Sequence, residues 1–91
     1  MDISFDAAKN ARNVIERGLT FVLVEQLDWS GAVIDQDERK DYGERRFRVP
    51  GFIQGRLHAV VFTPREGQVH VISLRKANKR EVQYHAQKAQ P

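Results

Sequence analysis

Four cations, Arg75, Lys76, Lys79 and Arg80, fall within six positions of one another, with Glu81 and Tyr84 beside them and a Thr63-Pro64-Arg65 corner shortly before. Guanidinium forks match pairs of phosphate oxygens, so the cluster suits a phosphate backbone, and RNA is the first partner to consider. Cutting RNA without a metal needs a base for the 2′-hydroxyl, a cation for the extra negative charge on phosphorus, and an acid for the leaving oxygen. Arg65, Arg75 and Arg80 suit the second task, and permanent protonation bars them from the first. Thr63 is either a hydrogen-bonding partner for a phosphate next to Arg65 or an ordinary strand-end residue. Glu81, the one carboxylate in the cluster, is either the base or the residue that holds Arg75 or Arg80 in place through a salt bridge.

These assignments make Thr63, Arg65, Arg75, Arg80 and Glu81 the catalytic candidates. Arg45, Arg46, Lys76, Lys79 and Tyr84 are the RNA-binding candidates. Glu44-Arg45-Arg46 extends the basic surface or sets strand register as a cross-strand charge pair. Tyr84 suits a leaving oxygen or a base stack, and it equally suits routine packing on an amphipathic helix. His58, His70 and His85 lack metal-ligand spacing, so neither a zinc site nor any cofactor is expected. Strand alternation puts His70 on the face opposite Arg75 and His58 opposite Thr63. His85 is then the better acid–base candidate of the three.

The charge distribution supports an anionic ligand on the second half. Residues 1–42 hold nine acids and five bases, a net of −4, whereas residues 43–91 hold ten bases and three acids, a net of +7. Most of those ten bases are Arg. Such a sequence dipole points to nucleic acid. With 41% apolar residues in 91 positions, the chain is expected to fold as one domain, residues 1–91. The absence of Cys excludes disulfides and thiolate metal sites and fits a reducing cytosol. No apolar run approaches a membrane span and the start is not that of a secretory signal, so the chain reads as cytoplasmic.

The elements that must position these residues follow from periodicity. Asp2 to Phe5 reads as a short edge strand, and Asp6 is an N-cap for a helix from Ala7 to Arg17, with Ala8, Ala11, Ile15 and Leu19 at helical spacing and Gly18 as a stop. Thr20 is a second candidate N-cap. Beyond it Phe21, Val24 and Leu27 have helical spacing while the run Phe21 to Val24 has strand propensity. Ala32 to Asp35 is a strand candidate and Gln36 to Gly43 a charged loop. Arg45 to Ile53, Arg56 to Thr63 and Gln68 to Arg75 are strands joined by Gln54-Gly55 and by Pro64 to Gly67, an antiparallel meander. Asn78 to Lys88 is a C-terminal helix. The string is α+β: a short N-terminal strand, two helices, an antiparallel sheet and a C-terminal helix.

Over nearly its whole length the chain resembles BrnT-type toxins of bacterial type II toxin–antitoxin systems. The resemblance is carried by Ile3-Ser4-Phe5-Asp6-Ala7-Ala8-Lys9 with Asn13 following, by Gly18-Leu19-Thr20-Phe21, and by Glu44-Arg45-Arg46 with Gly51 after it. It continues in Val60-Val61-Phe62-Thr63-Pro64-Arg65 and in Ile72-Ser73-Leu74-Arg75-Lys76-Ala77 followed by Glu81 and Tyr84. The family usually has Trp at Phe5, Lys-His at Glu16-Arg17 and Ala at Leu74. The resemblance implies a RelE-like fold, a helical reading of Thr20 to Leu27, and an endoribonuclease that arrests growth. It also implies neutralisation by a DNA-binding antitoxin of the BrnA kind, with operator DNA reached only through that complex. The competing reading is a non-catalytic toxin subunit that binds its antitoxin and co-represses its operon. The nuclease reading expects Arg65, Arg75 and Arg80 to meet in one pocket.

Overall fold

The computed structural model describes residues 2–89. Strand β1 (Ile3–Phe5) leads into helix α1 (Ala7–Arg17) and a 3-10 helix (Phe21–Gln26). Strands β2 (Asp35–Gln36), β3 (Phe47–Ile53), β4 (Arg56–Arg65) and β5 (Gln68–Lys76) then precede helix α2 (Lys79–Ala89). The five strands form one sheet in the order β1-β5-β4-β3-β2. β3, β4 and β5 are the expected antiparallel meander, and β1 joins the edge of β5 in parallel. The α+β class is thus the observed one.

Both hairpins turn on two residues, Gln54-Gly55 and Glu66-Gly67, whose φ angles are 52° and 77°, and 51° and 76°. Positive φ at both positions is the type I′ turn, whose twist matches that of paired strands. The second turn is therefore shorter than expected, because β4 continues through Pro64 to Arg65 and pairs Arg65 with Gln68. The strand expected at Ala32 to Asp35 is only Asp35–Gln36, and β3 begins at Phe47, leaving Arg45 and Arg46 in the preceding loop.

One face of the sheet presents Val49, Ile53, Val60, Phe62, Val71 and Leu74, which meet Leu19, Phe21, Val24 and Leu27 from above in the core. Phe21, Val24 and Leu27 recur every third residue, which brings all three to one side of a helix with three residues per turn. That is why the segment is a 3-10 helix, with Leu23 N–H donating to the Thr20 carbonyl and Leu27 N–H to that of Val24. Gly51 lies directly beneath: a Cβ there would approach Leu27 Cδ1 to 2.6 Å.

α1 starts at Asp6, whose carboxylate accepts from Lys9 N–H at 2.9 Å, and stops at Gly18 with φ 68°. Its orientation inverts the usual amphipathic arrangement. Ala8, Ala11 and Ile15 face solvent, Ile15 at 84% exposure, while the polar Asn13 is buried. Asn13 Nδ2 donates to the carbonyls of Leu19 (2.9 Å) and Leu74 (3.0 Å), and Asn10 Oδ1 accepts from Phe21 N–H at 2.7 Å. Two amides therefore tie α1 to the start of the 3-10 helix and to β5, where apolar contacts would be expected.

Against the expected alternation along β5, the pairing shifts where Val61 meets Ser73 and Phe62 meets Val71. Ile72 is the extra residue of a β-bulge, which resets which side chains face outward. Val71 and Leu74, three positions apart, are both fully buried in the core. Directly paired residues share a face, so His70, opposite Thr63, and Arg75, opposite Ala59, both lie on the outer face. The placement of His70 opposite Arg75 is thereby corrected.

Candidate functional site

The outer face carries two polar clusters at opposite ends of β4 and β5. Arg65 sits at the level of Gln68 and Arg75 at the level of Ala59, six residues of β4 apart, or about 20 Å at ~3.3 Å per residue. Arg80 is exposed near the start of α2. The three guanidinium groups therefore do not gather around one phosphate. Arg65 and Arg75 stand at opposite ends of the β4–β5 hairpin, which corrects the expected single pocket.

At the strand–helix junction, Arg75 donates to both oxygens of Glu81, at 2.7 and 2.9 Å. Glu81 Oε1 also accepts Asn78 N–H at 2.9 Å, while Asn78 Oδ1 accepts Glu81 N–H at 2.8 Å, a reciprocal capping box that starts α2. The Arg75 fork and the Asn78 amide hold the Glu81 carboxyl down at about 2. The Arg75 guanidinium is held above its usual range by the same partner. A carboxylate so stabilised is a poor proton acceptor and a good brace. Lys76, Lys79, Arg80 and Tyr84 are all exposed around this junction, with Lys88 Nζ 5.4 Å from the Tyr84 ring centroid. Phe52 of β3 meets His85 edge to face at 5.3 Å, so His85 on α2 is taken up in packing the helix against the sheet.

At the hairpin end, Arg65 Nη2 donates to Glu44 Oε1 at 3.0 Å and Nη1 contacts His70 Nε2 at 3.0 Å. His70 Nδ1 in turn lies 2.9 Å from Ser4 Oγ on β1. Arginine can only donate, so His70 Nε2 must be the acceptor and Nδ1 must carry the proton that reaches Ser4. Partial burial, with Arg65 next, pushes the imidazole below its ordinary value. Glu44 is held low by Arg65 first and Arg46 second.

Thr63 is only 3% exposed, and its hydroxyl donates to the Arg45 carbonyl at 2.6 Å, which pins the loop before β3 to β4. In that loop the buried Asp37 accepts from Arg39 Nε and Nη2, both at 2.8 Å, and from Tyr42 Oη at 3.3 Å. The Arg39 fork keeps the Asp37 carboxyl far below the usual carboxylate range. Arg46 stacks on the Tyr42 ring, 4.1 Å from its centroid, and Arg45 is exposed. Of the two RNA-binding candidates in this loop, Arg45 is free to meet a ligand and Arg46 is committed to Tyr42 and Glu44.

Between the clusters the outer face offers Arg48, Val61 and Ser73 in one rung and Pro50, Ala59 and Arg75 in the next. Small side chains flanked by cations leave an open strip that suits an extended polyanion. Two shallow grooves, of about 380 and 400 Å³, adjoin the clusters: one between α2 and the β3–β4 hairpin, lined in part by Lys79, and the other within the 36–45 loop, lined in part by Glu44 and Arg45. Open strip and shallow grooves together favour a polymer over an enclosed small molecule. Among the described residues no three His, Cys, Asp or Glu side chains form a metal-holding group. No described helix is long and apolar enough to cross a membrane.

His70 is the residue that sequence reasoning placed wrongly. The run Val69 to Leu74 looks like a regular strand in either register, so nothing in it announces the bulge.

A family model described as ribonuclease toxin, BrnT, of type II toxin-antitoxin system matches residues 5–81, most of the 91-residue chain. No curated protein matches it.

Proposed function

The chain belongs to the BrnT family of type II toxin–antitoxin ribonuclease toxins, and from that premise we propose that it cuts RNA on the outer face of its sheet by a metal-independent phosphodiester transfer. It acts as one cytoplasmic domain, residues 1–91, of RelE-like fold. RNA lies along the strip between the Arg65 and Arg75 clusters. Arg65 stabilises the charge that grows on phosphorus at its end of the strip, and Arg75 binds a phosphate of the same strand at the other. Glu81 holds the Arg75 fork, while Arg80, Lys76, Lys79, Tyr84 and Arg45 line the approach. Thr63 contributes through its tie to Arg45. The observation that carries this reading is the family match joined to two guanidinium groups on one open sheet face.

The partners are RNA and a BrnA-type DNA-binding antitoxin, with operator DNA reached through the antitoxin. Expression in a bacterial host with and without that antitoxin, following growth and RNA integrity, tests the proposal. Growth arrest with fragmented RNA, relieved by the antitoxin, is the expected result.

The competing reading, a non-catalytic subunit that binds antitoxin and co-represses the operon, draws support from one feature. Arg65 and Arg75 are each already paired with a carboxylate. Intact RNA together with tight antitoxin binding would favour it.

A further inference from the structure

We infer that His70 is the general base of the proposed RNA cleavage, held by Ser4 and released for work when Arg65 moves onto a phosphate. The inference rests on the nuclease reading and adds the group that reading lacks. Arg65, Arg75 and Arg80 do not take protons, and Glu81 is committed to Arg75 and the Asn78 amide.

Geometry carries the argument. The bulge at Ile72 turns His70 to the outer face, beside the same strand end that presents Arg65. The contact between His70 Nε2 and Arg65 Nη1, 3.0 Å, requires an unprotonated Nε2 with its lone pair aimed at the guanidinium. Ser4 Oγ at 2.9 Å from Nδ1 fixes the tautomer and the ring plane. A phosphate is the stronger partner for Arg65, whose side chain is half exposed. Once the fork turns to the phosphate, Nε2 stands free within a hydrogen-bond length of that site, where a ribose 2′-hydroxyl adjoins its own phosphate.

The step balances without a co-reactant beyond water. Nε2 takes the 2′-hydroxyl proton, O2′ bonds to phosphorus, the bond from phosphorus to O5′ breaks, and the leaving oxygen takes a proton from water. The imidazolium then returns its proton to solvent. The products are a 2′,3′-cyclic phosphate and a 5′-hydroxyl.

The charged groups facing the imidazole come from three places: Arg65 on β4, Glu44 in the loop before β3, and Lys9 and Asp6 at the start of α1. Arg65 and Lys9 disfavour a second proton and the two carboxylates favour it, while burial tips the balance towards the neutral ring. A base that is neutral at pH 7 needs no further activation.

The test is RNA cleavage by the purified chain in excess chelator from pH 5 to 9, comparing wild type, His70→Gln and Ser4→Ala, with circular dichroism to check folding. For wild type the rate should rise with pH through a midpoint below 6.5 and then level. His70→Gln should lose that limb and fall roughly 10²- to 10⁴-fold, and Ser4→Ala should keep the limb with a displaced midpoint. A folded His70→Gln protein that matches wild type in rate and profile overturns the inference and leaves the nuclease reading intact. Absence of cleavage by folded wild-type protein overturns both.

Discussion

Glu81 accepts both terminal nitrogens of Arg75, at 2.7 and 2.9 Å, and with the same Oε1 takes the Asn78 N–H that opens α2. One carboxylate thus caps the helix and fixes where the guanidinium points, so fold and proposed chemistry meet in a single side chain. Glu81→Gln keeps an acceptor for the Asn78 amide but removes the charged brace. It is expected to change stability by less than ~1 kcal/mol while slowing RNA cleavage by roughly tenfold. Equilibrium urea unfolding alongside initial cleavage rates measures both.

Arg75→Ala is expected to weaken RNA binding and so raise the KM for cleavage roughly 10- to 100-fold, the consequence of losing one charge-assisted phosphate contact. Stability should fall by no more than about 1 kcal/mol, because both partners are more than a third exposed and water screens the pair. A variant that unfolds in step with its loss of activity would assign Arg75 to the fold alone.

The same pair sets an acid limit on stability. Glu81 has a folded value near 2 against an ordinary 4.5. Its contribution is therefore present above about pH 4.5 and disappears as pH falls through the range from 4.5 to 2. The wild-type midpoint in urea should drop across that window, and the drop should be smaller in Glu81→Gln.

Asn13→Ala leaves the Leu19 and Leu74 carbonyls without their shared buried donor and should cost about 1–3 kcal/mol. Ile15→Ser, on the exposed side of the same helix, should stay within about 0.5 kcal/mol of wild type. Thermal and urea unfolding of the two variants distinguishes this inverted helix from an ordinary amphipathic one, which predicts the opposite order.

Gly51→Ala should lower stability by about 1–3 kcal/mol, since the added methyl enters the space of Leu27 between the sheet and the 3-10 helix. Its urea midpoint, read with an unchanged slope, checks this.

The meander and its turns are legible in the sequence because Gln54-Gly55 and Gly67 punctuate apolar alternation, and Asp6 and Gly18 bracket α1 in the same way. The bulge is not. In Val69 to Leu74 hydrophobic residues occupy both parities, so a one-residue slip costs no burial that the pattern reveals. The displacement of His70 follows from that silence. The direction of α1 was hidden for a related reason: Asn10 and Asn13 look like surface residues until the backbone groups they satisfy, one of them 61 positions away, are in view. At the site, the choice between base and brace for Glu81 stayed open in sequence because it depends on whether β5 delivers Arg75 to the first turn of α2. The separation of Arg65 from Arg75 was legible in the hairpin itself, which puts Arg65 at the turn and Arg75 at the far end of β5.

The most direct test of the central claim is incubation of the purified, folded chain with RNA in excess chelator, followed by identification of the ends produced. The account predicts fragments bearing 2′,3′-cyclic phosphate and 5′-hydroxyl ends, greatly reduced in His70→Gln, reduced at sub-saturating RNA in Arg75→Ala, and suppressed by the antitoxin. Intact RNA after incubation with folded protein, or cleavage that returns only when divalent cations are restored, would contradict it.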